Sequence, residues 1–485
     1  MRKILITGAV GALVGVVAMT TPALAQPAGT IAPTAAPEAV TVASASASTG
    51  AYTSLKAARV LDTRSRNGVT TMTPLTAGGT VTVQVTGRSG VPTSDVAAVV
   101  LNVTVTSPTA ASYLTLYPTG QARPATSSIN FVRGSTRANL VTVPVGAGGK
   151  VSIFNGIGTT HAIADVQGYY LSGATIPTAG TWGSYQPVAP VRLYDTRAST
   201  SGKPLPPGAV RWGIVNFGEA NPRVRALALN VTAVSPSGSG YLTAFQGDPN
   251  RIPATSSLNY TAGQTTPNMV IVPTSLCLTD CSDPNTPIFG LYNSRTASTQ
   301  VIVDLVGYYD DNSTGQGLRF SPVTPQRIVD SRSSLGAAPL TKDTERTVTL
   351  PENLAGIDTY GIVGNVTAVR PTADTYVSLW QTGDDRPNVS NLNATAQAIV
   401  ANMAMVGLDQ NYRFNAYNNA GTTNLLVDVT GTFEQWPPTP AKVQTTTGLT
   451  KNLSAARSRT TPAHAESPQS FELASARPAP GPRNP

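Results

Sequence analysis

The stretch Arg59-Val-Leu-Asp62-Thr-Arg64 opens a block that decides how this chain is built. It recurs as Arg192-Leu-Tyr-Asp195-Thr-Arg197 and again as Arg327-Ile-Val-Asp330-Ser-Arg332. The copies lie about 134 residues apart, which is the length of a domain and not of a solenoid unit. The 485 residues therefore predict three similar modules in tandem.

Three further elements follow each copy of this block in the same order. An Asn-Val-Thr in an apolar run comes first, two Asn residues with a constant spacing come next, and an Asp-Val/Leu-x-Gly closes the copy. The recurring polar residues are Asn102, Asn130, Asn139 and Asp165, then Asn230, Asn259, Asn268 and Asp304, then Asn365, Asn393, Asn402 and Asp428. With the short Gly-, Pro- and Asn-containing joints between them, they place the modules at 51–172, 184–310 and 319–434.

Inside a module the hydrophobic period is two. Residues 80–86 read Thr-Val-Thr-Val-Gln-Val-Thr, which is typical of a half-buried strand. Further strands are predicted near 59–61 and at 97–106, 113–117, 127–131, 139–143, 151–155 and 161–170. About eight short strands per module predict an all-β chain of three antiparallel β-sandwiches. A jelly-roll-like arrangement is favoured, with an immunoglobulin-like topology or a small barrel as alternatives.

The segments outside the modules predict secretion. Arg2-Lys3, an apolar run and Ala23-Leu24-Ala25 are typical of a signal peptide, which we place at 1–25. The apolar run is too short and too Gly-rich for a comfortable transmembrane helix, so no transmembrane anchor is expected. Residues 26–50 are predicted to be a disordered linker and 435–485 a disordered tail.

Charge and cysteine content narrow the class of partner. Much of the net charge of +8 lies in the signal segment and the tail, and no Lys/Arg cluster interleaves with aromatic residues, so nucleic-acid binding is disfavoured.

Cys277 and Cys281 are the two cysteines, in a segment that lengthens the second module. Outside the cell, a disulfide that pins this loop is expected, with two reduced thiols as the alternative.

The recurring Arg, Asp and Asn residues allow two interpretations. A carboxylate held by guanidinium groups could clamp a sugar or a carboxylate ligand, and Asn amides could bind sugar hydroxyls. The same groups could instead form a structural polar network that ties strands and loops together, and this interpretation is favoured. The charged members are Arg59, Asp62, Arg64 and Asp165, then Arg192, Asp195, Arg197 and Asp304, then Arg327, Asp330, Arg332 and Asp428.

An aromatic strand is the most testable candidate for ligand binding. Alternate positions on a strand share a face, so two aromatic rings flank a hydroxyl in each module and could stack on a sugar or contact a protein partner. The alternative is cross-strand packing on a covered face. The residues are Tyr113, Thr115 and Tyr117, then Tyr241, Thr243 and Phe245, then Tyr376, Ser378 and Trp380.

Catalysis is not expected. His161 has no counterpart in the other two modules, and no catalytic triad, metal-ligand pair or phosphate-binding loop is found. A carboxylate pair such as Asp62 with Asp165 is the one arrangement that could serve glycoside hydrolysis. No cofactor or metal is expected.

The motifs resemble a tandem β-module widespread in secreted actinobacterial proteins. Its pattern reads R-L-L-D-T-R, L-N-V-T-V-T, S-x-L-N-F, A-N-L-V-T-V-P-V-G and I-A-D-V-x-G-Y-Y. The first module matches almost throughout, the second departs at the cysteine-bearing loop, and the third departs most, with Asn391 and Ala394 replacing the Ser and Phe. The resemblance implies an accessory β-module, often beside cell-wall or polysaccharide enzymes, with no established ligand.

These observations together predict a secreted, non-enzymatic, multivalent binding protein that acts at the cell surface or in the medium. Its expected ligand is a glycan or cell-wall polymer, in an adhesion-like role, and a protein partner is also compatible with the sequence. The second interpretation is a structural surface or matrix spacer. A polysaccharide-acting hydrolase is the weaker third.

Overall fold

Nearly all regular structure of this protein is antiparallel β-strand. The computed structural model describes residues 49–173, 182–198, 202–248, 250, 252–277, 285–436 and 467–474. Helical structure with defined bounds within these residues is one short 3-10 turn, Gly218–Arg223. The prediction of an all-β, antiparallel chain is confirmed.

The strands of the first repeat are β1 (Tyr52–Asp62), β2 (Thr80–Gln84), β3 (Val96–Thr106), β4 (Ser112–Pro118), β5 (Ile129–Phe131), β6 (Arg137–Pro144), β7 (Lys150–Asn155) and β8 (His161–Leu171). Those of the second are β9 (Tyr185–Asp195), β10 (Val210–Asn216), β11 (Ala226–Val234), β12 (Gly240–Phe245), β13 (Leu258–Tyr260), β14 (Thr266–Pro273), β15 (Ser275–Leu276), β16 (Pro287–Asn293) and β17 (Gln300–Tyr309). Those of the third are β18 (Gly317–Asp330), β19 (Thr344–Thr349), β20 (Thr359–Val369), β21 (Thr375–Gln381), β22 (Leu392–Ala394), β23 (Ile399–Gly407), β24 (Arg413–Asn418) and β25 (Asn424–Trp436), and β26 (Ser470–Ala474) follows.

Each repeat places its strands in the same order in two sheets. In the first repeat the inner sheet runs β1-β8-β3-β6 and the outer sheet runs β2-β7-β4-β5. The third repeat has the corresponding orders, and the second adds strands β15 and β26 to its outer sheet. The inner sheets of the second and third repeats join through β9 and β18 into one eight-stranded sheet. Two four-stranded sheets in this order are a jelly-roll arrangement and not an immunoglobulin-like one.

Each repeat has its own apolar core between its two sheets. On β3 the core side is formed by Val99, Leu101, Val103 and Val105, the alternate residues of one strand face. Equivalent clusters fill the second and third repeats. The alternation of apolar residues in the sequence therefore correctly predicts which face of β3 lies in the core of its repeat.

A fourth apolar cluster lies among the three inner sheets and takes residues from all three repeats. On β3, Ala98 and Val100 belong to it, so this strand is buried on both faces. The described residues of the three repeats consequently belong to one compact unit. A simple string of separate modules would leave the second face of β3 in contact with solvent. The sequence therefore does not predict that the three repeats pack together.

Six aromatic rings occupy the centre of the fourth cluster, which we call the central aromatic cluster: Tyr52, Tyr170, Tyr185, Tyr309, Phe320 and Phe433. Contacts between repeats close a circle, with ring centroids 4.4 Å apart for Tyr52–Tyr309, 4.6 Å for Tyr185–Phe433 and 4.1 Å for Tyr170–Phe320. The hydroxyls of Tyr170 and Tyr309 are 2.6 Å apart. Burial raises the pKa of both tyrosines, so they stay protonated and available for this bond.

The central aromatic cluster explains why each closing motif ends in Gly. A Cβ at Gly168 would overlap the hydroxyl of Tyr52, one at Gly307 would overlap the ring of Tyr185, and one at Gly431 would overlap the ring of Phe320. The recurrence of Gly therefore reflects close approach between the backbone and the central rings.

The tail contains regular structure that the sequence does not predict. Ser470–Ala474 forms β26 and pairs antiparallel with β10 at the edge of the outer sheet of the second repeat. The expectation of a disordered tail over 435–485 is therefore wrong for this segment. The expected signal peptide, 1–25, lies outside the described residues.

Candidate functional site

The Arg and Asp residues of the recurring block meet those of the closing motif because their strands are neighbours. β1 and β8 pair with Arg59 opposite Asp165. Arg59 Nε lies 2.9 Å from Asp165 Oδ1, and Arg59 Nη1 lies 3.0 Å from Asp62 Oδ2. Arg64 Nη2 contacts Asp62 from the other side at 2.8 Å. Asp62 therefore lies between two guanidinium groups, as the sequence suggests.

The other two repeats reproduce this arrangement. Arg192 Nε lies 2.8 Å from Asp304, and Arg327 Nε lies 2.8 Å from Asp428. Arg197 contacts Asp195 at 2.7 Å, and Arg332 contacts Asp330 at 2.6 Å. The Asp of each closing motif is almost completely buried. Burial raises the pKa of Asp304 to about 6, although its hydrogen bond and charge interaction with Arg192 oppose the rise.

The Asn residues join neighbouring repeats in a closed circle. Asn102 donates to the backbone oxygen of Ser256 at 2.7 Å, Asn230 to that of Ser390 at 2.6 Å, and Asn365 to that of Ser127 at 2.7 Å. The first repeat thus contacts the second, the second contacts the third, and the third returns to the first.

A second Asn in each repeat completes these contacts. Asn268 donates to Asn102 Oδ1 at 2.9 Å, Asn402 to Asn230 Oδ1 at 2.9 Å, and Asn139 to Asn365 Oδ1 at 3.0 Å. Their own oxygens accept the backbone N–H of Leu140, Met269 or Met403 from another repeat. Asn130, Asn259 and Asn393 instead accept from the Ser hydroxyls at 127, 256 and 390.

The polar residues that recur most faithfully therefore lie between strands and between repeats. Two of the buried carboxylates also accept backbone N–H groups of another repeat, Asp304 from Ser390 and Asp428 from Ser127. Because these contacts use buried donors and acceptors, the network holds the assembly of repeats together. Its geometry corresponds to the structural interpretation of the Arg, Asp and Asn residues.

The lowered pKa of Asp330 makes part of this stability depend on pH. The hydrogen bond from Arg332 holds the pKa of Asp330 at about 2, against a usual 3.8. Because the pKa is depressed in the folded state, the stability from Asp330 is present above about pH 4 and is lost as the pH falls toward 2. We expect the urea midpoint to fall over this window, with a shallower fall for Asp330→Asn. Parallel curves for the two proteins would contradict this expectation.

His161 has a structural partner. Its Nδ1 lies 2.9 Å from the hydroxyl of Thr63. At the matching positions, Thr196 contacts Gln300 and Ser331 contacts Asn424. His161, Gln300 and Asn424 thus occupy the same position in the three repeats, and each makes a hydrogen bond to a hydroxyl. Because any of these side chains can make the bond, the His need not recur.

The hydroxyls of the aromatic strands are buried and bonded to backbone carbonyls. Thr115 donates to Thr126 at 2.7 Å, Thr243 donates to Thr255 at 2.8 Å, and Ser378 donates to Val389. These hydroxyls are therefore occupied and cannot serve as exposed ligand-binding groups. This corrects the expectation of a hydroxyl between two exposed rings.

The later of the two aromatic residues on each of these strands (Tyr117, Phe245 and Trp380) faces away from the core, as strand alternation predicts, but two of these three rings are covered. Phe245 is 2% exposed and packs against Trp212. It lines an open groove between the first and second repeats, opposite Leu55 and Gln167. Trp380 is also 2% exposed and donates to the backbone oxygen of Asp384. Only Tyr117 is half-buried.

The first ring of each aromatic strand remains partly exposed and forms a pair that sequence reasoning missed. Ring centroids are 6.3 Å apart for Tyr113–Phe154, 6.4 Å for Tyr241–Tyr292 and 6.1 Å for Tyr376–Tyr417. The second ring of each pair lies on β7, β16 or β24, next in the outer sheet. The signal was available, because Phe154-Asn155, Tyr292-Asn293 and Tyr417-Asn418 recur in the sequence.

An exposed Arg covers the second ring in two of these outer aromatic pairs. The guanidinium of Arg123 lies 4.0 Å from the ring centre of Phe154, and that of Arg386 lies 4.0 Å from that of Tyr417. Arg251 corresponds to them in the second repeat but lies outside the described residues. An Arg on an aromatic ring presents cationic and apolar surfaces side by side.

Two further expectations concern cysteines and membranes. Cys277 is buried, while Cys281 lies outside the described residues, so their disulfide remains a prediction. Within the described ranges, no helix has the length and apolar character needed to cross a membrane. The same ranges contain no group of three His, Cys, Asp or Glu side chains placed to hold a metal ion.

Comparisons with known proteins add little. No protein-family model matches the chain, and no curated protein matches its sequence. Among solved structures, it aligns with a triple jelly-roll structure of an archaeal virus at 7% identity and a TM-score of 0.16, over 79% of this chain and 91% of that one. The structure of Sulfolobus Turreted Icosahedral Virus aligns over the same shares at 7% identity and a TM-score of 0.15. TM-scores this low carry no argument about fold or function.

Proposed function

We propose that this chain is a secreted, non-enzymatic protein of the bacterial surface or extracellular space, and that its three repeats act as one rigid multivalent unit that binds glycan or cell-wall polymer. The observation that carries the proposal is the recurrence, on the outer sheet of all three repeats, of an aromatic pair whose first ring is partly exposed. The proposal includes cleavage of 1–25 and a disulfide between Cys277 and Cys281.

The chemistry of the outer aromatic pairs favours a sugar ligand. Aromatic faces stack against the apolar faces of pyranose rings, and Tyr hydroxyls can bond to sugar hydroxyls. Arg123 and Arg386 add a cationic edge that favours anionic groups on a polymer. Tyr241 is 37% exposed, so its ring offers contact area in the second repeat as well.

The arrangement in triplicate favours a polymer over a small molecule. Sites fixed on one rigid unit engage a repeating ligand with an avidity that exceeds the affinity of each site. The closing Asp residues and the Asn residues that join the repeats are buried in structural contacts, and Arg64, Arg197 and Arg332 are half exposed but paired with an Asp of their own block. The outer aromatic pairs are the recurring feature that combines exposed aromatic surface with a place outside this network. A catalytic reaction would gain nothing comparable from three copies.

Replacement of one exposed tyrosine per repeat tests this proposal. We expect the combined change Tyr113→Ala, Tyr241→Ala and Tyr376→Ala to weaken retention on purified cell-wall polymer by about a hundredfold or more, because the avidity is lost with the sites. Each single replacement should have a much smaller effect. Pull-down on insoluble wall polymer and a glycan array with the intact chain measure both.

Controls separate the competing functions. Met72→Ala removes a side chain that is 56% exposed outside these pairs and should leave binding unchanged. Equal retention of the triple variant and the wild type would refute the proposed site. If the intact chain bound no polymer or glycan, the spacer interpretation would replace this one. Release of sugars by the purified protein, abolished in Asp62→Asn, would instead establish a hydrolase.

A further inference from the structure

The tail strand β26 covers an edge whose counterparts in the other repeats have no such cover. It pairs with β10 over five residue pairs, from Trp212 opposite Ala474 to Asn216 opposite Ser470. The backbone N–H of Gln469 adds a bond to the oxygen of Asn216 at 2.7 Å. Among the described residues, β2 and β19 occupy the equivalent edges and carry no fifth strand.

The chemistry of β10 explains this difference. Its outward positions include Trp212 and Ile214, and Trp212 joins a separate apolar cluster on the outer face. The matching outward positions on the other edge strands are Thr82 and Gln84 on β2, and Thr347 and Thr349 on β19. Polar edge strands resist pairing with another chain, whereas an apolar edge with open N–H and C=O groups invites it.

Besides its backbone bonds, β26 contributes one aromatic ring with a described contact. Phe471 packs against the core of the second repeat, and its ring lies 6.4 Å from that of Tyr194. A short edge strand bonded on one side only belongs to the least stable parts of a fold. Local opening of β26 therefore costs far less than unfolding of a repeat.

The chain between β25 and this strand is long. Residues 437–466 separate Trp436 from the described part of the tail. A chain of this length can extend to on the order of 100 Å, so the same strand can reach β10 of an adjacent copy. Pairing of β26 with β10 of its own chain requires closure of a long loop, which costs conformational entropy. At high local protein concentration, pairing with β10 of another chain therefore competes with it.

We propose that β10 is a strand-acceptor edge and that its occupant in assemblies is β26 of a second copy of this chain. The tail of one molecule then completes the outer sheet of the second repeat in another. The pairing is antiparallel and keeps the register seen within one chain. Such exchange links molecules at high concentration without any new surface.

Mixing two full-length variants, each with one added cysteine besides Cys277 and Cys281, tests the exchange directly. Ile214→Cys marks the acceptor and Glu472→Cys marks the donor, because these two positions are paired in the sheet. Neither variant can form the new disulfide within one chain. We expect a disulfide-linked heterodimer on a non-reducing gel, increasing with protein concentration. The matched control replaces the acceptor with Thr349→Cys, the equivalent position on the polar edge β19, and should stay at background.

A double variant in one chain makes the result decisive. Full-length protein with both Ile214→Cys and Glu472→Cys reports docking within the chain. If it cross-links internally while the mixture gives no heterodimer at any concentration, the strand docks but is not exchanged, and the proposal is overturned. Failure of both cross-links would overturn it as well, since the pairing itself would then be absent. The outcome is independent of glycan binding.

Discussion

Tyr309→Ala is expected to lower the free energy of unfolding by about 3–5 kcal/mol, a large share of the stability of a typical protein. Tyr309 is 2% exposed and contacts Tyr52 of the first repeat and Tyr185 of its own. Its removal opens a cavity where the repeats meet and deprives the buried hydroxyl of Tyr170 of its partner. Urea unfolding followed by tyrosine fluorescence and circular dichroism measures the loss.

The same experiment examines how the repeats cooperate. Since the central aromatic cluster takes rings from all three, we expect one unfolding transition that shifts as a whole. Tyr309→Phe keeps the ring and removes only the hydroxyl, so it should cost about 1–2 kcal/mol. A variant in which the second repeat melted alone, with the other two unchanged, would show that the cluster does not couple them.

Arg192→Ala is expected to cost about 3–5 kcal/mol, because it leaves the carboxylate of Asp304 buried without its partner. The Asp304 side chain is 0% exposed and lies 2.8 Å from Arg192 Nε. The matched control is Arg197→Ala in the same block. Arg197 is 49% exposed, so loss of its pair with Asp195 should cost less than about 1 kcal/mol. Urea midpoints of the two variants and the wild type provide the comparison.

The pH dependence of this pair of variants is a further check. With Arg192 present, burial already raises the pKa of Asp304 to about 6. Without the guanidinium the pKa rises further, so near pH 5 the carboxyl is neutral and its burial costs less. The penalty of Arg192→Ala should therefore be larger at pH 8 than at pH 5. Equal penalties at both values would show that Asp304 is not the group left unpaired.

The strands illustrate what local pattern predicts well. The predicted segments 97–106 and 161–170 correspond to β3 and β8 within one or two residues at each end. Period-two alternation works because side chains on a strand point alternately to two faces, and one face forms the core of the repeat. The recurring Arg and Asp positions were also found, since ion-pair chemistry is visible in residue type.

The candidate site was predicted only in part. Alternation placed Tyr113 and Tyr117 on the correct face of β4, but it could not show which outward rings a neighbouring strand or repeat would cover. Trp380 and Phe245 are outward and buried, while Phe154 and Tyr292 belong to other strands and complete the outer aromatic pairs. Contacts between distant strands depend on sheet order, which local patterns do not specify.

The sequence by itself determined the three copies, their antiparallel strands, the core of each copy and the polar residues that recur. The tertiary structure decided that the copies close around a central aromatic cluster, that the Asn residues bond between repeats, and that a tail strand covers β10. The physical reason is that strand period and residue type report which face is buried within a repeat. What buries the second face depends on surfaces brought together from far apart along the chain.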